Sequence, residues 1–103
     1  MNFNLTTTNI DKTIFLLEQD SGGAQTVTFT GIAGGVDGRY IILYSNDANL
    51  GITLIGENGA STAANRITVG SGTGSVNVTN YSSISLLYVG SISRWIIIDK
   101  NIN

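Results

Sequence analysis

The chain has 103 residues, of which 42% are hydrophobic and only 12% are charged, and its formal net charge is −2. A chain of this length forms one domain with a core of its own. The absence of cysteine and histidine excludes disulfides and thiol chemistry, and it removes the commonest general base and metal ligand. We expect no nucleic-acid partner, because the basic residues are too scattered to form a phosphate-binding track: Lys12, Arg39, Arg66, Arg94 and Lys100.

The amino-terminal segment does not resemble a signal peptide, since it has neither a basic start nor an apolar stretch. Strongly apolar runs are about four residues long, against the roughly 20 that a membrane helix needs. We therefore expect a chain made in a cytoplasm, with no membrane partner. Residues 1–12 are mostly polar with sparse apolar anchors at Phe3, Leu5 and Ile10, which predicts an arm that docks on another protein. Residues 13–103 are predicted to form a single β domain.

Glycines, threonines, serines and asparagines separate short β-branched runs along the chain, which is typical of an all-β protein. Ile32 to Gly38 is predicted to be a glycine-rich loop, and Ser61 to Asn65 is compatible with a single helical turn. About eight strands at this spacing favour an antiparallel β-sandwich or a jelly-roll-like barrel. The predicted strands are Thr13–Glu18, Thr26–Thr30, Arg39–Tyr44, Ile52–Ile55, Arg66–Val69, Ser75–Thr79, Ile84–Val89 and Arg94–Asp99.

Three of these strands are apolar on both faces. Tyr40, Ile42 and Tyr44 alternate with Ile41 and Leu43, and the same holds for Leu86 to Val89 and for the Arg94–Asp99 strand. Strands of this kind are expected to be covered on both sides, whereas a single sandwich covers one face of each sheet. A closed cyclic assembly covers the second face on every subunit at once.

No motif in the chain predicts catalysis, a metal site or a cofactor. The Gly70–Gly74 run is followed by a strand pattern rather than a helix, so we interpret it as a structural loop and not a phosphate loop. The carboxylates Asp20, Asp37, Asp47 and Glu57 lack the spacing of a calcium loop. We therefore predict that the protein is not an enzyme, although two carboxylates across a cleft would allow glycoside hydrolysis.

Between Gly34 and Trp95 the chain resembles a small β module of tailed-phage fibre, head-fibre and capsid-decoration proteins. The resemblance implies a homotrimeric virion surface protein that acts by self-assembly and by docking on a capsid or fibre protein. Since no fibre shaft precedes the module, a head fibre or auxiliary capsid protein is favoured over a full tail fibre. The matching residues, in order, are Gly34-Gly35-Val36-Asp37-Gly38-Arg39, Glu57, Ser61, Asn65-Arg66-Ile67, Gly70-Ser71-Gly72-Thr73-Gly74, Tyr88 and Arg94-Trp95.

Glu57 is the lone carboxylate between strands that begin with arginine, and we predict that it forms a structural ion pair with Arg66. Large rings inside apolar strands are predicted to pack in the core or at a subunit interface: Tyr40, Tyr44, Tyr88 and Trp95. Tyr81 lies in a polar loop and is the candidate for contact with a ligand. The alternative function is therefore a small carbohydrate-binding module that recognises a surface glycan.

Overall fold

The computed structural model describes residues 2–4, 13–18, 23–70 and 72–102, and for residues 2–4 it describes the backbone alone. Among these residues the fold is all-β, as predicted, with ten strands and one 3-10 helical turn at Ala63–Asn65. The strands are β1 (Asn2–Asn4), β2 (Ile14–Leu17), β3 (Gln25–Phe29), β4 (Gly31–Ala33), β5 (Tyr40–Ser45), β6 (Leu50–Gly56), β7 (Ile67–Thr68), β8 (Gly74–Val78), β9 (Ser83–Val89) and β10 (Arg94–Asn101).

The strands divide into two principal sheets and one short pair. The larger sheet has the order β2-β5-β9-β10-β7, the smaller sheet has the order β3-β6-β8, and β1 pairs with β4. Along the chain, successive strands often belong to different sheets: β2 is followed by β3 on the other sheet, and β5 is followed by β6. The passage from the larger to the smaller sheet occurs again between β7 and β8, so the described strands make it three times.

The prediction of antiparallel pairing is wrong for part of the fold, because both principal sheets are mixed. Four strand pairs are parallel, β1–β4, β2–β5, β3–β6 and β7–β10, whereas the β5–β9, β6–β8 and β9–β10 pairs are antiparallel. A parallel pair needs a long crossover connection. In the β2–β5 and β3–β6 pairs, the connection between the two paired strands includes a strand of the other principal sheet. The two strands of each pair therefore run in the same direction.

Each of the eight predicted strands is present, with its ends shifted by at most two residues, and the helical turn lies within the predicted Ser61–Asn65. Two strands were not predicted. The predicted loop from Ile32 to Gly38 begins in β4, which pairs with β1 in parallel. The described part of the predicted arm therefore does not stand apart from the β domain, since Asn2–Asn4 form a strand along it. The rest of the predicted arm, residues 1 and 5–12, lies outside the described residues.

One hydrophobic core takes side chains from both principal sheets. Side chains on β5, β9 and β10 of the larger sheet meet side chains on β3, β6 and β8 of the smaller one. The β4 strand contributes Ile32. Trp95 is the largest fully buried side chain, with 0% of its surface exposed. The core residues are Phe29, Ile32, Ile41, Leu43, Ile52, Leu54, Ile67, Val78, Ile84, Leu86, Tyr88 and Trp95.

The strands that are apolar on both faces are covered on one face only. In β5, Ile41 and Leu43 are buried, whereas Ile42 and Tyr44 are half-buried and Tyr40 is exposed. In β10 the register against β9 shifts between Ile97 and Asp99, and Ile98 at this irregularity is 50% exposed. The expected second cover of these strands is therefore not supplied within the described part of the chain.

Truncation of Trp95 to alanine is expected to destabilise the domain by about 3–5 kcal/mol, which is the usual cost of deleting a fully buried large aromatic side chain. Its indole Nε1 also donates a 2.8 Å hydrogen bond to the buried Ile32 carbonyl, which the variant leaves unpaired. The free energy of unfolding, measured by urea denaturation, tests this. The matched control is Ile98→Ala on the same strand, which is expected to change the free energy by no more than about 0.5 kcal/mol. Equal stabilities of the two variants would contradict the prediction.

Candidate functional site

The turn between Gly34 and Arg39 caps the end of β9 through backbone hydrogen bonds. Gly38 N donates to Tyr88 O at 2.9 Å, and Tyr88 N donates to Arg39 O at 2.8 Å. The carboxylate of Asp37 accepts a 2.8 Å hydrogen bond from Gly90 N, which lies just beyond the strand. Gly34 and Gly38 adopt φ values of 89° and 86°, which glycine adopts at least cost. The first glycine-rich motif of the sequence therefore acts as a structural turn.

Behind this turn lies a buried junction of Tyr88, Trp95 and Gly35. The rings of Tyr88 and Trp95 meet edge to face, with centroids 5.2 Å apart and planes inclined at 77°. The Tyr88 hydroxyl donates to Ala64 O at 2.9 Å, and the Trp95 indole donates to Ile32 O at 2.8 Å. A side chain at Gly35 would occupy the place of the Tyr88 ring. The junction thus joins β9 and β10 to β4 and to the 3-10 turn.

Glu57 forms its ion pair with Arg94 and not with the predicted Arg66. Arg94 Nε lies 2.9 Å from Glu57 Oε2 and 3.1 Å from Oε1, and the Thr68 hydroxyl donates to Oε2 at 2.6 Å. The side chain of Arg66 instead donates from Nε to Ser61 O at 3.1 Å. Arg94 is the first residue of β10, and β10 pairs with β7, the strand that carries Thr68. This pairing brings Arg94 to Glu57, and the prediction missed it because the two strands are far apart in the sequence.

These contacts hold the pKa of Glu57 below its ordinary value of 4.5. The hydrogen bond from Arg94 is the main cause and the one from Thr68 is the second, while burial of the carboxylate acts in the opposite direction. The positive charges of Arg94 and Arg66 add to the lowering. Glu57 also adopts a φ of 47°, which is uncommon for a residue with a long side chain. The carboxylate is thus held in place as a structural anion.

The second glycine run forms a tight turn. Val69 and Gly72 exchange two backbone hydrogen bonds of 3.1 and 2.9 Å, and Gly70 and Gly72 adopt positive φ values of 58° and 143°. The β8 strand follows at Gly74. Without a helix after the glycines, the run lacks the geometry that holds phosphate, and it joins β7 to β8.

The structure separates the aromatic residues singled out from the sequence into two groups. Trp95 and Tyr88 lie in the core. Tyr40 and Tyr44 lie on the opposite face of β5, where Tyr40 is 41% exposed and Tyr44 is half-buried. Tyr81 is 45% exposed in the turn between β8 and β9 and adopts a φ of 54°. Bulky residues with a positive φ are backbone outliers, and such outliers cluster at binding sites.

The solvent side of the larger sheet carries a broad apolar surface, which we call the apolar face. Its residues follow the register from strand to strand: Ile14 lies beside Ile42, Leu16 beside Tyr44, and Leu87 between Tyr40 and Ile96. Leu16 on the edge strand β2 is 59% exposed. None of the members carries a charge. The apolar face comprises Ile14, Leu16, Tyr40, Ile42, Tyr44, Leu87 and Ile96.

The solvent side of the smaller sheet is polar by contrast and contains an open groove of about 400 Å³. Thr26 lies beside Gly51, and Thr53 lies beside Asn77, so that hydroxyl and amide groups line the groove across the three strands. The Thr53 hydroxyl donates to Asn77 Oδ1 at 2.6 Å. The convergence of the β3 threonines with Asn77 depends on the parallel β3–β6 pairing.

In the part of the chain that the structure describes, no helix has the length and hydropathy of a membrane span, and no cluster of three or more potential metal ligands is found. Comparisons with protein-family models, with curated proteins and with solved structures find no match. The resemblance to phage fibre and capsid-decoration modules therefore stays a prediction that depends on the motif residues themselves.

Substitution of Gly35 by alanine is expected to destabilise the domain, because the added methyl group overlaps the Tyr88 ring and displaces it from Trp95. Overpacking of this kind costs about 1–3 kcal/mol. Thermal and urea unfolding measure the effect. Gly59→Ala is the matched control, since a methyl group at Gly59 meets no atom within 4 Å. A Gly35→Ala protein as stable as the control would show that the junction has room that the structure does not indicate.

The lowered pKa of Glu57 predicts an acid-dependent loss of stability. Because the pKa is lower in the folded than in the unfolded chain, this contribution is fully present above the ordinary value of 4.5 and is lost as the pH falls through the folded-state pKa. Glu57→Gln is therefore expected to be less stable than the wild type at neutral pH and to lose less stability on acidification. Unfolding free energies at a series of pH values test this, with the exposed Glu18→Gln as control. Parallel pH profiles for the wild type and Glu57→Gln would contradict it.

Proposed function

We propose that the protein is a non-enzymatic surface module of a phage virion, a head fibre, auxiliary capsid protein or fibre tip, that acts by self-assembly and docking. The observation that carries the proposal is the uncharged apolar face on the solvent side of the larger sheet, which extends onto the edge strand β2. Large exposed apolar surfaces on a small domain mark interaction sites. Their partner must be apolar as well, since neither Ile42 nor its neighbours offer a charge to pair.

A second copy of the chain supplies such a partner without any further component. In a closed cyclic assembly every subunit covers the apolar face of another, and no copy is left exposed. We propose a homotrimer, in agreement with the assembly that the phage-fibre resemblance implies. Within each subunit we propose a β-sandwich, in which the larger sheet packs its inner side on the smaller sheet and its apolar face on the neighbouring subunits.

The motif residues support a structural module rather than an active site. Gly35 packs against the Tyr88 ring, the Tyr88 hydroxyl donates to Ala64 O, and the Asp37 carboxylate accepts a hydrogen bond from Gly90 N. Arg94 and Thr68 hold Glu57. Each of these polar groups is engaged in holding the fold together. Residues in such roles specify a rigid domain, which is what a virion surface protein requires in order to assemble with fixed geometry.

Light scattering at micromolar concentration is expected to report about three times the 10.8 kDa chain mass. The double variant Leu16→Lys/Tyr40→Lys is expected to scatter as a monomer, because it places charges on an apolar interface. Both side chains are largely exposed within one chain, so the variant is expected to keep the fold. Circular dichroism and thermal unfolding verify that it does.

The matched control is Ser75→Lys, an exposed position on the solvent side of the smaller sheet, which is expected to leave the assembly unchanged. A wild-type chain that is a stable monomer would contradict the proposed trimer. A trimer that persists in the double variant would show that another surface forms the interface. Immunogold electron microscopy, with an antibody against this chain on phage particles whose genome encodes it, tests the virion location. Absence of label on intact particles would contradict that location.

A further inference from the structure

We propose that the groove on the smaller sheet binds a neutral oligosaccharide, with Tyr81 as the aromatic residue at its rim. This site goes beyond the proposed assembly function, because the groove lies on the opposite sheet from the apolar face. The groove is formed within one chain by residues of β3, β6 and β8 and by the turns beside them. Binding in it therefore does not depend on whether the copies associate.

The chemistry of the groove selects an uncharged ligand rich in hydroxyl groups. Its lining consists of threonine, asparagine, glutamine, alanine, valine and glycine residues and includes no ionisable side chain. An anionic ligand such as a phosphate or an acidic glycan would find no cation there, and a basic peptide would find no carboxylate. Hydroxyls and amides pair with sugar hydroxyls as both donors and acceptors, while the methyl groups of Thr26 and Ala48 offer apolar contacts to the C–H faces of a sugar ring.

The hydrogen-bonding groups in the groove are held in position before any ligand arrives. Thr53 donates to Asn77 Oδ1 at 2.6 Å, which leaves the Nδ2 group of Asn77 as a donor. In the described part of the chain no hydrogen bond engages that Nδ2 group. Gly51 lies beside Thr26 in the lining, and a Cβ there would lie 3.1 Å from Val78 O, so that this position accommodates glycine best. A preorganised site of this kind loses less entropy on binding.

Tyr81 is placed where it can add a stacking surface. It follows directly after Asn80, which lines the groove, and its side chain is 45% exposed. The next residue, Ser82, is buried and anchors the turn that carries Tyr81. The Ser82 hydroxyl donates to Asn80 O at 3.3 Å, and the Ser82 carbonyl accepts a 2.9 Å hydrogen bond from Ser45 N. The positive φ of 54° is a conformation that costs energy in a bulky residue, and such outliers cluster at binding sites. Aromatic rings contribute contact area and orientation to binding at such a position.

The size and shape of the groove favour a short stretch of a sugar chain. Its volume of about 400 Å³ lies in the range of small-molecule sites, about 300–1,000 Å³. Because the groove is open to solvent and does not enclose its ligand, a bound stretch can belong to a longer polysaccharide. The proposed ligand is therefore a segment of a surface glycan, and not a free metabolite enclosed by the protein.

The test is a titration of the full-length, ¹⁵N-labelled chain with cellotetraose, maltotetraose and tetra-N-acetylchitotetraose, followed by NMR chemical shifts of the backbone amides. At least one of these neutral oligosaccharides is expected to shift the amides of Thr26, Gly51 and Asn77, whereas the anionic 3′-sialyllactose is expected not to. Shifts caused only by the anionic sugar, or no groove-centred shift with any neutral one, would overturn the proposal.

Two variants then assign the contacts. Tyr81→Asn removes the ring while Asn still adopts a positive φ, and it is expected to weaken binding about fivefold to tenfold. Asn77→Ala is expected to weaken it about threefold to tenfold, as the loss of one hydrogen bond does. Ser75→Ala on the same strand and side, and Tyr40→Ala on the apolar face, are the matched controls and are expected to keep wild-type affinity. Unchanged affinity in both groove variants would overturn the assignment to the groove.

The assembly variant separates this site from the proposed trimer. Leu16→Lys/Tyr40→Lys is expected to bind the same oligosaccharide with unchanged affinity as a monomer, because all groove residues lie on one chain. Loss of binding together with loss of assembly would place the sugar between subunits and would overturn the groove as the site. Failure of the trimer proposal alone leaves these titrations and their outcomes unaffected.

Discussion

The packing of Trp95 against Tyr88 is the interaction on which the rest of the structure depends. The two side chains join neighbouring strands of the larger sheet, and their polar atoms reach out of that sheet to Ile32 O and Ala64 O. These two hydrogen bonds tie the short β4 strand and the 3-10 turn to the larger sheet. The requirement for glycine at position 35 has the same origin, because the Tyr88 ring occupies the space of any side chain there. Gly35, Tyr88 and Trp95, which are far apart in the motif, thus meet in one buried junction.

The path of the chain gives the two sheets different chemistry on their solvent sides. The β2-to-β3 and β5-to-β6 passages run in the same direction, so β2 and β5 pair in parallel in the larger sheet and β3 and β6 pair in parallel in the smaller sheet. The first pair turns isoleucine, leucine and tyrosine outward, whereas the second turns out threonine and glycine. A single small core therefore carries an apolar face and a polar face on opposite sheets, so that the proposed association and the proposed ligand binding would use separate surfaces.

Local patterns in the sequence predicted the strands but not their partners. Alternation of side chains is visible within five or six residues, and every strand predicted in this way is present. The β4 strand was missed because it is only three residues long and is bounded by glycine-rich sequence. The direction of pairing could not be predicted, since Phe15 and Leu43 become neighbours through a crossover of more than 20 residues. The same limit explains the misassigned partner of Glu57: Arg94 reaches it only because β7 lies beside β10, a contact that no local pattern encodes.

Several of the few charged residues of the chain lie close together, at one end of the larger sheet. Asp37 and Arg39 lie at the end of β9, and Arg94 at the start of β10 pairs with Glu57 close to Arg66. Much of the small charge of the chain is therefore gathered at one end of the larger sheet, where ion pairs and turns hold it. Rotation about a cyclic axis keeps identical ends at the same height, so a cyclic assembly formed through the apolar face would present all its charged ends on one side. An apolar interface alone leaves the orientation of neighbouring copies poorly defined, whereas ends that carry charges of both signs in fixed positions favour some orientations over others. In the proposed assembly, apolar contact would supply the stability and the sparse charges would contribute to specificity.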